Sequence, residues 1–278
     1  MRLPMTIFDK KPLTGEFAQY VGELIDNDPL FQKLPTQLFT FDNGKTPKGE
    51  KKGYLTAILY FAPYMLSGYQ MCKFAELAQC HEPCLNTAGR GKFVPVQKAR
   101  IRKTLMFHQY RSDFMILLVS EINRAIRKSK RMGLTLVVRL NGTSDVIWEN
   151  TPVVFNNEDP TVPVYSFNIF ELFPKTMFYD YSKYPARHKL PDNYHLTFSY
   201  SGAASFEPIV KKWAAKRTSQ NMAVVFSHHT MPVVFDNREV INGDATDLRF
   251  LDSDNVVVGL TAKGKGKTDN TGFIVRAV

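Results

Sequence analysis

The chain of 278 residues holds only three cysteines and two tryptophans, and no apolar run approaches the about 20 residues that a membrane-spanning helix needs. A chain of this length buries enough surface to be stable without disulfides, and three crowded thiols make a poor disulfide framework. Residues 1–10 mix charge with apolar side chains and lack the apolar stretch of a secretory leader. The expectation is a reduced, cytoplasmic protein with no membrane partner. Also missing are G-x-S-x-G, H-E-x-x-H and G-x-x-x-x-G-K-[ST], which argues against a serine hydrolase, a zinc protease and a P-loop nucleotidase. Acidic residues are in deficit, 26 against 36 lysines and arginines, giving a formal charge of +10. That balance favours a polyanionic partner such as nucleic acid or a nucleotide.

What the chain does have is placed unevenly. Cys72, Cys80 and Cys84 all fall within 13 residues, in the order C-x7-C-x3-C. Random placement would do this on the order of one time in two hundred. Thiolates bind soft metals, and three of them without a fourth leave one coordination position open to a small molecule, as in a [4Fe-4S] cluster. Zinc is the competing metal, with His81 available as a fourth ligand that would close a structural site. The third reading is three free thiols packed as small core residues.

Periodicity places these residues. Residues 1–50, rich in Pro, Lys and Asp, read as an N-terminal extension carrying one helix over 15–26, and residues 51–278 read as one α/β domain. Continuous apolar runs at 54–62 (YLTAILYFA) and 134–140 suit strands buried on both faces. Shorter strands are expected at 177–180, 194–199, 221–227 and 256–260. Apolar residues three and four apart predict helices over 96–107 and 113–131, the second stopped by Gly133, with further helices over 167–173 and 207–216. The β-then-α rhythm indicates a parallel sheet. Because polar clusters follow the strands, where barrel enzymes carry their sites, a complete or partial (β/α) TIM-like barrel is expected rather than an open sheet.

The candidate site residues follow from those clusters. The loop 139–145 (RLNGTSD) offers Asn141, Gly142, Thr143, Ser144 and Asp145 to the polar end of a cofactor, although a Ser-Asp helix cap would use the same residues. Arg90, which can pair with a carboxylate or phosphate, and Ser199, at a strand end, are further candidate cofactor contacts. Asp145, Tyr179, Asp180 and Asp247 are the candidate catalytic groups. Asp244, Asp247 and Arg249 also fit an exposed, salt-bridged turn of little energetic weight. His228-His229 is an unusual doublet at a strand end, where alternation points the two rings apart. Of the three basic runs, 92–111, 124–131 and 263–267 (KGKGK), the second reads as the solvated C-terminus of a helix and the third as the better anion site.

The segments CLNTAGRGKF, VQKARIRKT, VRLNGTSD, FYDYSKY, NYHLTFS, INGDATDLRF and VVVGLTAKGKGKTDNTGF resemble a family of bacteriophage proteins known as gene product eighty-eight, over nearly everything from Tyr54 onward. More distantly the layout looks like radical S-adenosylmethionine enzymes. That likeness implies that Cys72, Cys80 and Cys84 hold a [4Fe-4S] cluster, that 141–145 meets the methionine moiety of S-adenosylmethionine, and that the protein modifies a nucleotide, nucleic acid or host component. A non-enzymatic nucleic-acid or host-factor binding protein with structural zinc is the alternative from a different class.

Overall fold

The structure, a computed structural model, describes residues 37–42, 46–155, 165–187, 189–216, 219–227 and 231–276. The helix expected over 15–26 and the His228-His229 doublet lie outside them.

Two long helices carry the clearest sequence pattern. α2 (Val94–Gln109) and α3 (Arg111–Arg131) follow the short helix α1 (Thr46–Glu50). α3 buries Phe114, Met115, Leu118, Ile122 and Ala125, which recur at the three-and-four spacing of one helical face, and it ends at Gly133 as expected. Its last turn carries Lys128, Lys130 and Arg131, cations that complement the helix dipole without any ligand.

The six expected strands are all present: β2 (Tyr54–Leu59), β3 (Thr135–Arg139), β6 (Met177–Ser182), β7 (Tyr194–Ser199), β8 (Met222–Phe226) and β11 (Val257–Thr261). They pair in parallel and in chain order across one sheet, β2-β3-β6-β7-β8-β11, which β10 (Arg238–Asn242) extends. Two-residue antiparallel strands, β1 (Phe39–Thr40) and β9 (Val234–Phe235), close its edges to make nine strands. The protein is therefore mixed α/β with a mostly parallel sheet.

A closed barrel is not what the pairing gives, because among the described residues β1 and β9 end the sheet without pairing to each other. The physical reason is visible at β1. The Glu121 carboxylate of α3 accepts the N–H groups of Leu38 and Phe39 at 3.3 and 3.5 Å, so a helix side chain occupies donors at that edge. Leu38 and Phe39 are buried in the core, so the described part of the first fifty residues contributes to the sheet.

Two elements differ from expectation. β4 (Pro152–Phe155) and β5 (Tyr165–Asn168) form a separate antiparallel pair, so the helix expected over 167–173 is reduced to α4 (Ile169–Leu172). Asn168 sets the boundary: its side chain accepts from the N–H of Phe170 and Glu171, and Glu171 reaches back to the Asn168 N–H. The helix expected over 207–216 is α5 (Glu207–Ala214).

Alternation along the strands sorts the sheet into two faces. On one, Ala57, Leu59, Leu136, Val138, Phe178 and Leu196 pack under α3, while Phe198, Met222, Val224 and Phe226 pack with Trp213 of α5. On the other, Val137 and Tyr179 are covered by Leu248, and Phe250 meets the rings of Tyr54 and Tyr179 at 5.4 and 5.6 Å. The segment 244–252, between β10 and β11, thus crosses the face opposite α3, where α1 also lies. No described helix is long and apolar enough to span a membrane.

Candidate functional site

The three cysteines occupy the long loop leaving the C-terminal end of β2, and each is half-buried and free. Local geometry presents the sulfurs to backbone donors. Cys72 Sγ accepts from Tyr64 N–H at 3.5 Å and lies 3.7 Å from the Thr143 carbonyl. Cys84 Sγ accepts from Asn86 N–H at 3.5 Å, capping the turn Leu85–Thr87. Burial raises all three thiols, Cys84 to about 11, and their mutual charge interaction raises Cys72 and Cys84 further. The sulfurs therefore share one electrostatic neighbourhood. Among the described residues, however, no three His, Cys, Asp or Glu side chains stand together as a ready site for one metal ion.

The loop after β3 is built against the cysteine loop. Asp145 N–H donates to Met71 O at 2.9 Å, and Thr143 Oγ1 donates to Phe61 O at 2.5 Å. A Cβ on Gly142 would lie 2.6 Å from the Tyr60 ring and 2.7 Å from Leu59 O, so only glycine lets the two backbones approach this closely. Asn141 is occupied internally. Its Oδ1 accepts from Ser144 Oγ (2.8 Å), Val146 N–H (2.9 Å) and Trp148 Nε1 (3.2 Å), while Nδ2 donates to Val146 O at 3.0 Å. Of the five residues of this loop expected to meet a cofactor, Asn141, Gly142, Thr143 and Ser144 are engaged in shaping the loop. Asp145 differs: Oδ2 accepts from Lys183 N–H at 2.8 Å, whereas Oδ1 is buried with no hydrogen-bond partner. Burial raises its carboxyl above the usual range, and the Lys183 N–H and the Arg187 guanidinium pull against that.

Lys183, one residue past β6, joins this group. Its Nζ donates to Ser199 O and Oγ at 3.1 and 3.2 Å, and sits 4.9 and 5.2 Å from the Phe273 and Phe206 ring centres. Burial lowers its pKa, and the charges of Cys80, Asp145, Cys72 and Cys84 counter that. Ser199, an expected cofactor contact, is thus a partner of Lys183. Arg100 of α2 is the second cation here: it hydrogen-bonds Asn86 Oδ1, stacks 4.7 Å from the Tyr60 ring and feels the charge of Cys84. Sequence reasoning gave neither Lys183 nor Arg100 a role. A lysine immediately after a strand buried on both faces is the signal that was available for the first.

The remaining candidates separate by face. Asp180 lies with the helix-covered side, accepting from Asn141 N–H at 2.7 Å and from the Tyr194 hydroxyl at 3.0 Å. Burial lifts its carboxyl to about 7, against the pull of Arg139. Tyr179, one residue earlier, points the other way and is fully buried. Asp247 meets Arg139 at 2.9 Å on Tyr179's side. The exposed turn expected of Asp244, Asp247 and Arg249 is corrected accordingly: Asp247 and Arg249 are buried, Arg249 pairs with Asp252 at 3.2 Å, and Asp244 pairs with Lys263 at 2.8 Å. Arg90 holds an exposed ion pair with Asp42 at 2.8 Å.

The KGKGK run also reaches the cysteine loop. It forms a short turn, Gly264–Thr268, in which Lys265 N–H donates to Thr87 Oγ1 at 3.1 Å. Thr271 Oγ1 donates to Gln79 O at 3.3 Å. Loops from the first and last of the six consecutive strands are therefore in contact.

Residues 37–277 match the family model of gene product 88. No curated protein and no solved structure matches the chain. The comparisons do not carry the likeness onward to radical S-adenosylmethionine enzymes.

Proposed function

We propose that this chain, which belongs to the gene product 88 family, is an iron–sulfur protein of the host cytoplasm in which Cys72, Cys80 and Cys84 hold the cluster at the mouth of a partial barrel. The observation that carries the reading is the gathering of the three thiols, Lys183 and Asp145 at the C-terminal ends of β2, β3 and β6. In strand-and-helix barrels that is the end where sites are built. Support for the barrel comes from the six strands in chain order and from the contacts that bring the loops of the first and last together.

A cluster is preferred to a single zinc ion because three thiols without a fourth leave one position open, whereas a structural zinc is closed by four ligands. The thiols' N–H···S contacts are of the kind that tune cluster potentials. Burial favours the protonated thiols until a cation replaces the protons, so loading should release acid. Asp145, a buried carboxylate beside the cysteine loop, is suited to the amino group of a zwitterion such as S-adenosylmethionine. A cluster with one open iron supplies one-electron chemistry. The chain's own part is to orient the ligand with Asp145 and to hold Lys183 beside the sulfurs.

Protein purified or reconstituted without oxygen should be brown, absorb broadly near 400 nm and contain about four irons and four sulfides per chain. Cys72→Ala, Cys80→Ala and Cys84→Ala should each lose most of the iron, and calorimetric titration of the loaded protein should show S-adenosylmethionine binding. One zinc per chain with no colour would replace this reading by the structural-zinc alternative.

A further inference from the structure

The lysines of KGKGK and the segment just before α2 are about 170 residues apart in sequence, and the fold puts both against the loop that carries Cys84. The glycines explain how. Gly264 has φ +57°, and a Cβ there would lie 2.7–2.9 Å from Thr87, so the turn is pressed backbone-first onto the cysteine loop. Gly266 is buried, with Pro83 O 3.7 Å from where its Cβ would be. Lys263, Lys265 and Lys267 are all exposed. On the neighbouring segment Arg90 and Lys92 are exposed, and so are two large apolar side chains, Leu85 at 52 % and Phe93 at 53 %.

Charge on this rim is only partly neutralised. Asp42 pairs with Arg90, Asp244 pairs with Lys263, and Glu82 is exposed on the cysteine loop. Lys92, Lys265 and Lys267 make no ion pair among the described residues. Lysines on a shaped turn, with an exposed aromatic ring on the segment that the turn packs against, offer what a single-stranded nucleic acid uses: ammonium groups for phosphates and a ring face for an unstacked base. A duplex offers the phosphates without the free base.

We infer that Lys92, Lys265, Lys267 and Phe93 form a binding surface for single-stranded nucleic acid, bordering the mouth that holds the cysteines. This names the substrate class for the proposed cluster site and rests on that reading for its catalytic meaning alone. Binding at the surface does not require the cluster.

The test uses the full chain and fluorescently labelled 20-nucleotide probes of mixed sequence, as single-stranded DNA, single-stranded RNA and duplex DNA, over a salt series with iron content measured on the same samples. Single strands should bind more tightly than duplex, and comparison of the DNA and RNA arms identifies which of the two is the ligand. Removing one lysine–phosphate interaction should flatten the log–log salt dependence by about 0.7, so the triple variant Lys92→Gln, Lys265→Gln, Lys267→Gln should flatten it by about 2. Phe93→Ser should weaken single-strand binding about tenfold and leave duplex binding unchanged. A control triple at the end of α3, Arg127→Gln, Lys130→Gln, Arg131→Gln, should bind as the parent does. Thermal melts of every variant check that the substitutions leave the fold intact. No binding, a preference for duplex, or equal losses in the two triple variants would overturn the proposal. If binding fails while iron remains, this surface is wrong and the cluster reading stands; if iron is absent while binding persists, the reverse holds.

Discussion

Arg139 at the end of β3 and Asp247 in the crossing segment meet at 2.9 Å, with side chains only 12 % and 10 % exposed. The pair fastens residues 108 positions apart and holds the crossing segment on the face opposite α3. Removing one partner leaves a charge in a poorly hydrated place, which costs about 3–5 kcal/mol. Asp247→Ala should therefore lower the melting temperature by on the order of 10 °C in a domain of this size. Asp42→Ala, which breaks the exposed pair with Arg90, should change it by no more than about 2 °C. Equal effects from the two substitutions, read by calorimetry, would contradict the buried position of Asp247.

Gly142→Ala tests the approach of the β3 loop to the cysteine loop. The added methyl would meet the Tyr60 ring at 2.6 Å and Leu59 O at 2.7 Å, and the backbone oxygen cannot swing aside. Overpacking of this kind costs about 1–3 kcal/mol. Chemical denaturation should show that loss at unchanged m-value, and the variant should load less iron because Cys72 is held against Thr143 in the same contact. A variant as stable as the parent would mean that the two loops do not touch.

The parallel strands were legible because burial on both faces writes continuous apolar runs such as those at 54–59 and 135–139. The edge strands were not, since two residues carry no period, and Asn168 moved the start of α4 through a side-chain cap that apolar spacing does not register. At the site, clustering in sequence exposed the cysteines, and position at a strand end exposed Asp145. Lys183 stayed hidden because its importance comes from burial beside cysteines far away in the chain, and Arg100 because a helical cation's inward turn onto Asn86 and Tyr60 is set by packing. Asp247 was misread as exposed for the same reason: its partner Arg139 is remote in sequence.

Asp180 should make stability depend on pH in an unusual direction. Burial raises its carboxyl from the ordinary 3.8 to about 7, so between those values the folded protein keeps a proton that the unfolded chain has released. Stability from this group is complete below about pH 4 and is lost as pH rises toward 7. Asp180→Asn keeps an acceptor for the Asn141 N–H and cannot ionise. The variant should therefore gain stability relative to the parent as the pH of a denaturation series moves from 4.5 to 8. A parent–variant difference that stays constant over that series would show that the carboxyl titrates as an ordinary aspartate.

Asn141 separates a scaffold from a ligand contact. In the fold its Oδ1 serves Ser144, Val146 and Trp148, so Asn141→Ala strands several buried donors together and should cost about 2–4 kcal/mol. Asn141→Asp retains the acceptor but puts a second carboxylate 3.4 Å or less from Asp180, where two ionised groups in one buried site disfavour each other. Its stability should recover at low pH, as protonation relieves the pair, while the alanine variant stays weak at every pH. Iron content should fall with stability in both, since the loop that Asn141 shapes also carries the contacts to Cys72 and Lys183. Were Asn141 instead a cofactor contact, the alanine variant would melt like the parent, keep its iron and lose only the small-molecule ligand.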